Sequence, residues 1–210
     1  MTCEMTCAPV PYPKLSITGD IGSGKTAVSR LLQRATGYPR YSTGDLQRRI
    51  AARYGMTTLE LNRHSETHPA IDEEIDGESI RLGATDESFI IDSRIAWHFI
   101  PHSFKVYLTV DPRVAAERLV ADRGRTGESY DDVATARDEI LKRRESEVER
   151  FRRTYGIHLA DLDNYDLVID TSQAPPREVA EAVLNGFREW TARGGRAKAS
   201  DMASASCSPL

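Results

Sequence analysis

Near the amino terminus, "KLSITGDIGSGKTAVSRLLQRAT" joins a short apolar run to a helix-patterned run through a turn holding three glycines. No other stretch restricts the fold as much. Gly19, four further residues and then Gly24-Lys25-Thr26 call for a strand that ends in a tight turn and a helix that starts from it. Glycines let the backbone curl until several N–H groups point at one anion, and the helix N-terminus adds partial positive charge. In that setting a lysine at position 25 reaches the terminal phosphates of a nucleoside triphosphate, and a hydroxyl at position 26 ligates magnesium. The expected phosphate contacts are Gly19, Ile21, Gly22, Ser23, Gly24 and Lys25, with Thr26 and Ala27 opening the helix. Asp20 is the odd member, because an acid beside phosphate is costly. It is expected to face outward or to hold a backbone N–H.

The rest of the chain alternates in the same way. "KLSIT" (14–18), "PRYS" (39–42), "FIID" (89–92), "FKVYLTV" (104–110) and "YDLVID" (165–170) read as strands. "TAVSRLLQRAT" (26–36) reads as a helix with Val28, Leu31, Leu32 and Ala35 on one side. "PRVAAERLVADR" (112–123), with proline in its first turn, a long charged stretch at 133–156 and "PREVAEAVLNGFREW" (176–190) are further helices. Such alternation predicts a three-layer α/β/α domain built on a parallel sheet. One stretch breaks the pattern. Residues 44–86 look helical throughout, with Ile71, Ile75, Ser79 and Leu82 as one stripe, and form an insert between the second and third strands. The domain is expected over 14–192, with flexible tails at 1–13 and 193–210, the latter rich in Ala, Ser and Gly.

Composition narrows the function classes. With a net charge of −4 over 210 residues, the chain has no global basic field for nucleic acid. An anionic ligand then requires a local arginine cluster. No apolar run approaches a membrane span, and the N-terminus lacks the build of a secretory signal. Cys3, Cys7 and Cys207 are odd in number and lack C-x-x-C spacing, which argues against a disulfide framework or zinc site. A cytoplasmic protein with small-molecule partners, no nucleic acid and no membrane is expected, as a monomer or homodimer.

A second anion site is suggested downstream. In "YSTGDLQRR" (41–49), Thr43 and Asp45 are placed to cap a helix beginning at Leu46, and Arg48 lies one turn inside it. An arginine there suits bidentate contact with phosphate. In "FIIDSRIAW" (89–97), Asp92 at a strand end can act on magnesium through water, and Arg94 projects into the same crevice. On the long helix, Ile140, Leu141, Val148 and Phe151 gather on one face at about 100° per residue, with Arg144 in their midst. A charge centred on an apolar stripe needs a partner. Arg144 is read as part of a mobile lid at about 123–153, in which a flexible Gly-Arg-Thr-Gly stretch (124–127) precedes the long helix, with Arg118 and Arg123 joining it. Arg150, Arg152 and Arg153 are read as snorkelling side chains or internal salt bridges.

These residues resemble the nucleoside monophosphate kinases, and most closely the archaeal-type cytidylate kinases and their bacterial relatives. "GDIGSGKTAVSRLL" is similar to the family's phosphate loop, and "STGD" with Arg48 to its acceptor-phosphate motif. "DSRIAW" stands where the family has Glu-Gly-Arg-Leu-Ala-Gly-Trp. "KRRESEVERFRRTYGIHLADLDNYDLVIDTS" resembles its lid helix and final strand. The likeness covers about residues 14–185. It implies a P-loop kinase fold with five parallel strands, a monophosphate-binding insert and a lid. It implies magnesium-dependent transfer of the terminal ATP phosphate to CMP or dCMP. Arg48 and Arg94 would then grip the acceptor phosphate, aided by Thr43, Gly44, Asp45 and Asp72. Lys25, Asp92, Arg94 and Arg144 would serve the transfer. Arg118, Arg123, Thr171 and Ser172 would line the ATP side. Asp92-Ser93 in place of Glu-Gly leaves base preference open, with Asp45, Arg63, His68, Asp72 and Asp76 available to a base. A modified nucleotide or another small metabolite is the alternative acceptor. A guanine-binding switch is disfavoured, since no Asn-Lys-x-Asp tetrad is present.

Overall fold

The structure, a computed structural model, describes residues 10–65, 68–122, 130 and 132–195. Among them run five parallel strands: β1 (Lys14–Gly19), β2 (Arg40–Ser42), β3 (Phe89–Asp92), β4 (Ser103–Thr109) and β5 (Leu167–Asp170). Their spatial order is β2-β3-β1-β4-β5, so β1 and its glycine turn lie at the centre. The helices are α1 (Lys25–Thr36), α2 (Thr43–Arg53), α3 (Thr58–Ser65), α4 (Pro69–Gly83), α5 (Ala96–Phe99), α6 (Pro112–Ala121), α7 (Val133–Tyr155) and α8 (Pro176–Ala192).

The three layers follow from the strand pleat, which sends alternate side chains to opposite faces. Ile90 of β3 and Phe104, Val106 and Leu108 of β4 pack with Leu15 and Ile17 against Val28, Leu32, Val183 and Phe187 of α1 and α8. Phe89 and Ile91 turn to the other face, against Leu82 of α4 and Ile100. Tyr107 also faces that side and meets Phe151 of α7. Both faces are covered, which is why β3 reads as an unbroken apolar run up to Asp92. The expected α/β sandwich and five-stranded parallel sheet are present.

Several local expectations are corrected. The helix placed at Leu46 begins at Thr43, and its cap is Ser42, whose hydroxyl accepts from the Asp45 N–H at 3.3 Å. The last strand residue is still extended and its short side chain reaches the third helical N–H, the usual capping geometry. Asp45 is thereby left with its carboxylate free for arginines. The stretch at 44–86 is interrupted after Arg53, where Gly55 takes φ +66°. Ala35 is exposed rather than on the buried side of α1. The stripe on α4 holds, with Ile71, Ile75, Ser79 and Leu82 all buried.

At the ends, Val10 packs on the central core cluster beside Trp190 and Gly195. Residues 1–9 and 196–210, with all three cysteines, lie outside the described residues, as does the 123–129 segment carrying Arg123. Among the described residues no helix is long and apolar enough to cross a membrane.

Candidate functional site

The glycine turn closes the carboxyl end of β1. A side chain at Gly19, which has φ +151°, would place its Cβ 2.3 Å from the Leu108 carbonyl oxygen. At Gly22, φ +79°, a Cβ would lie 2.8 Å from that of Ala115 on α6. Both positions therefore admit only glycine, and the turn is pressed against β4 and α6. Inside it, Lys25 donates from Nζ to the Gly19 and Asp20 carbonyls at 2.8 and 2.7 Å. Burial, with Arg94 nearby, lowers the Lys25 ammonium to about 7, although Asp92, Glu147 and Asp20 pull the other way.

Asp20 does not face outward. Its carboxylate accepts from the Val110 N–H at 3.3 Å and the Tyr107 hydroxyl at 2.9 Å. Arg144 of α7 lies 3.5 Å from the same carboxylate. This supplies the partner required for a charge on an apolar stripe. Burial, followed by the charge of Asp20, pushes the Tyr107 hydroxyl well above its ordinary range, so it remains a proton donor.

At the end of β3, buried Asp92 accepts from the Thr26 hydroxyl at 3.0 Å. Thr43 joins them, donating to the Asp92 carbonyl at 3.5 Å. A hydroxyl and a carboxylate beside a phosphate-binding turn are hard oxygen donors that fit magnesium, with remaining positions left to water and ligand phosphate. Among the described residues no group of three or more His, Cys, Asp or Glu could hold a metal alone. Arg40 of β2 sits under this pair and was not picked out by sequence reasoning. The only signal was a charged residue in a short strand two residues before Ser42, which is paired in register with Asp92.

Arg94 and Arg144 are brought to one crevice, lined also by Gly19, Asp20, Glu147 and Val148. Arg94 donates from Nη1 to the Gly19 carbonyl, and its Nε lies 3.0 Å from Glu147 of α7. Arg143 also bonds Glu147, at 3.2 Å. Burial alone would raise the Glu147 carboxyl; the charges of Arg94, Arg143, Lys25 and Arg150 outweigh it and hold the group below its ordinary range. Helical spacing puts Glu147 with Arg143 and Arg150 along the edge of the Arg144 face, but does not reveal its contact with Arg94.

Arg48 is not placed in that crevice. It pairs with Asp45 one turn back, and both are half exposed. Burial would raise Asp45, but the bond and charge of Arg48, with Arg40 and Ser42, leave its carboxyl lowered. Asp72 lies instead in a cluster between the insert helices and α7. Arg150 donates to the Ser65 hydroxyl at 2.7 Å and lies 3.5 Å from Asp72. Tyr155 donates to Asp76 beside them. Burial raises both carboxyls. The internal salt bridge expected of Arg150 is there, but its partner is an aspartate of α4 rather than a neighbouring glutamate. His68 is exposed at the start of α4, and the side chain of Arg63 lies outside the described residues.

On the opposite side of the turn, Arg118 donates to the Thr171 carbonyl at 2.6 Å and to the Gly22 carbonyl at 3.2 Å. Ser172 accepts from the Asp111 N–H at 2.8 Å. Arg118, Thr171 and Ser172 thus form one group against the glycine turn.

A five-stranded parallel sheet with this turn at the end of its central strand is the fold of the P-loop kinases. Shikimate kinase from Bacteroides thetaiotaomicron has a similar fold, with a TM-score of 0.57 at 18% identity over 84% of this chain and 97% of that one. The chain belongs to the cytidylate kinase-like family, whose model matches residues 15–173. It is 37% identical over 182 residues to a cytidylate kinase of Thermoplasma volcanium, covering 85% of this chain and 93% of that protein. It is also 32% identical over 182 residues to an S-adenosylmethionine-dependent nucleotide dehydratase of Lacinutrix mariniflava, covering 85% of this chain but 37% of that protein. The protein is a nucleoside monophosphate kinase, an enzyme acting on nucleotide substrates.

Proposed function

We propose that the enzyme transfers the terminal phosphate of ATP to CMP or dCMP. The observation that carries this reading is the Gly19 carbonyl, which accepts from both Lys25 and Arg94. One cation belongs to the triphosphate turn and the other to the end of β3. When phosphates replace the carbonyl as their partner, a donor and an acceptor phosphate are held side by side. An oxygen of the acceptor phosphate attacks the terminal phosphorus, the bond to the bridging oxygen breaks, and the diphosphate of the donor leaves. Such transfer needs alignment and charge neutralisation more than covalent chemistry.

In this reading Lys25 and the N–H groups from Gly19 to Ala27 hold the donor phosphates. Arg118, Thr171 and Ser172 flank its base. Magnesium, held by Thr26 and through water by Asp92, would neutralise charge on the transferred group. Arg94 grips the acceptor phosphate, with Arg48 approaching from α2. Arg144 closes from α7, leaving Asp20 for the transferring phosphate. The insert helices α2, α3 and α4 and the lid helix α7 exclude water. Arg150 and Asp72 supply a donor and an acceptor side by side, which matches the carbonyl and ring nitrogen of cytosine and its amino group. Uracil reverses two of these three positions. The names of the relatives at 37% and similar identity point the same way.

A coupled assay of ADP release with ATP and AMP, CMP, dCMP, GMP or UMP tests this. The cytidine nucleotides are expected to lead by at least about tenfold in kcat/KM, the discrimination given by about 1.4 kcal/mol of differential binding. Equal use of UMP overturns the base assignment. A second reading rests on the relative named a nucleotide dehydratase, about a third of which matches this chain. There the same phosphotransfer serves a modified nucleotide, and turnover of a modified analogue far above CMP would favour it.

A further inference from the structure

Arg40 is a nearly buried arginine that the phosphotransfer just described does not use. Its side chain is 9% exposed. Nε donates to the Ser29 hydroxyl at 2.8 Å, and Nη1 to Asp45 at 3.3 Å. Nη2 is enclosed without a hydrogen-bond partner, 3.8 Å from the Asp92 oxygen that accepts from Thr26. Ser29 is itself fully buried and donates to the Thr26 carbonyl at 3.1 Å. The guanidinium is thereby pinned to α1, one turn beyond the metal-binding hydroxyl, and aimed at the Asp92 carboxylate.

An enclosed arginine nitrogen without a bond is costly, so its placement calls for a reason. A full salt bridge to Asp92 would consume the lone pairs needed for Thr26 and for a metal's water. With no cation there, a buried carboxylate beside a hydroxyl would be an open invitation to a divalent ion. The observed contact lies between these extremes: it neutralises charge and leaves the oxygen's bond to Thr26 intact. Asp45, on the far side of the same guanidinium, adds a second carboxylate that Arg40 masks.

We propose that Arg40 is a positioning residue that keeps divalent metal off Thr26 and Asp92 until nucleotide phosphates bring it. The inference rests on the metal reading of that pair given above. Once phosphates are bound, their charge outweighs that of Arg40, and the metal enters as a nucleotide complex. In the empty protein the local charge balance is close to neutral and the ion stays in water.

Binding of Mn²⁺ to the nucleotide-free protein, read by electron paramagnetic resonance, tests this without any turnover. The wild-type protein is expected to bind Mn²⁺ weakly alone and far more tightly with ADP. Arg40→Leu removes the charge and is expected to tighten nucleotide-free Mn²⁺ binding by about tenfold or more, as unmasking a carboxylate in a low-dielectric site implies. Adding Asp92→Asn should abolish that gain. Arg40→Lys keeps a charge and should remain close to wild type. A tight Mn²⁺ site in the nucleotide-free wild type overturns the proposal whether or not the variants fold. So does an Arg40→Leu affinity equal to wild type, or a gain that survives Asp92→Asn. Failure of the kinase reading would show separately, as loss of ADP-dependent Mn²⁺ binding in the wild type.

Discussion

Glu147 holds Arg94 at 3.0 Å and Arg143 at 3.2 Å, so the arginine proposed to grip the acceptor phosphate already carries a carboxylate. That carboxylate belongs to the helix proposed as a lid. An incoming phosphate has to displace it, and the displaced helix end is then free to move. Glu147→Gln removes the competing charge. The acceptor dissociation constant, measured calorimetrically, is expected to fall about threefold or more, while two arginines lose a buried partner and thermal stability drops. Weaker acceptor binding would show that Glu147 touches the acceptor itself.

Arg94→Ala is expected to raise the acceptor KM by about thirtyfold or more, the usual scale for a charge-assisted phosphate contact of about 2 kcal/mol. Donor binding should change little, because Lys25 and the turn remain. An unchanged acceptor KM would place the acceptor phosphate elsewhere.

Lys25 is expected to make nucleotide binding depend on protons. Its ammonium is lowered to about 7 in the folded protein, chiefly by burial. Phosphates stabilise the charged form, so at pH 8 binding of ADP should take up about one proton. Calorimetry in buffers of different ionisation enthalpy reads this directly, and Lys25→Met should abolish the uptake. The sign for stability follows from the same shift. Between pH 7 and the ordinary lysine range, the unfolded chain binds a proton that the folded chain does not. This group's contribution to stability therefore rises with pH through that window. Proton release on binding at pH 8 would contradict the placement of Lys25.

Gly22→Ala puts a Cβ 2.8 Å from Ala115 at a backbone φ of +79°. The expected loss of stability is roughly 2–4 kcal/mol by urea unfolding. Nucleotide affinity should fall further than stability accounts for, since the turn's N–H groups are displaced. An unaltered affinity would mean that the turn does not hold the phosphates.

The parts of this protein legible in its sequence are those governed by local rules. Apolar runs such as "FIID" announce buried strands because both faces of the sheet are covered, and the glycine turn announces its own backbone. The start of α2 lies three residues before the expected Leu46, with Ser42 rather than Thr43 or Asp45 as its cap, because all three side chains can cap and only the backbone decides among them. Arg40, the contact of Glu147 with Arg94 and the partners of Asp20 lay beyond sequence reasoning for another reason. Each owes its position to residues far along the chain, as when Tyr107 and Arg144 converge on Asp20. No periodicity records such a meeting. Arg150 shows the same limit: its ion pair was foreseeable, but not that it reaches across to α4.

The central claim is transfer between two phosphates held side by side, and product analysis tests it most directly. Phosphorus NMR of the protein with ATP, magnesium and CMP should show CDP and ADP rising together in equal amounts, with ATP stable when CMP is left out. Inorganic phosphate and ADP without CDP, or without any other nucleoside diphosphate across the five monophosphates, would contradict it.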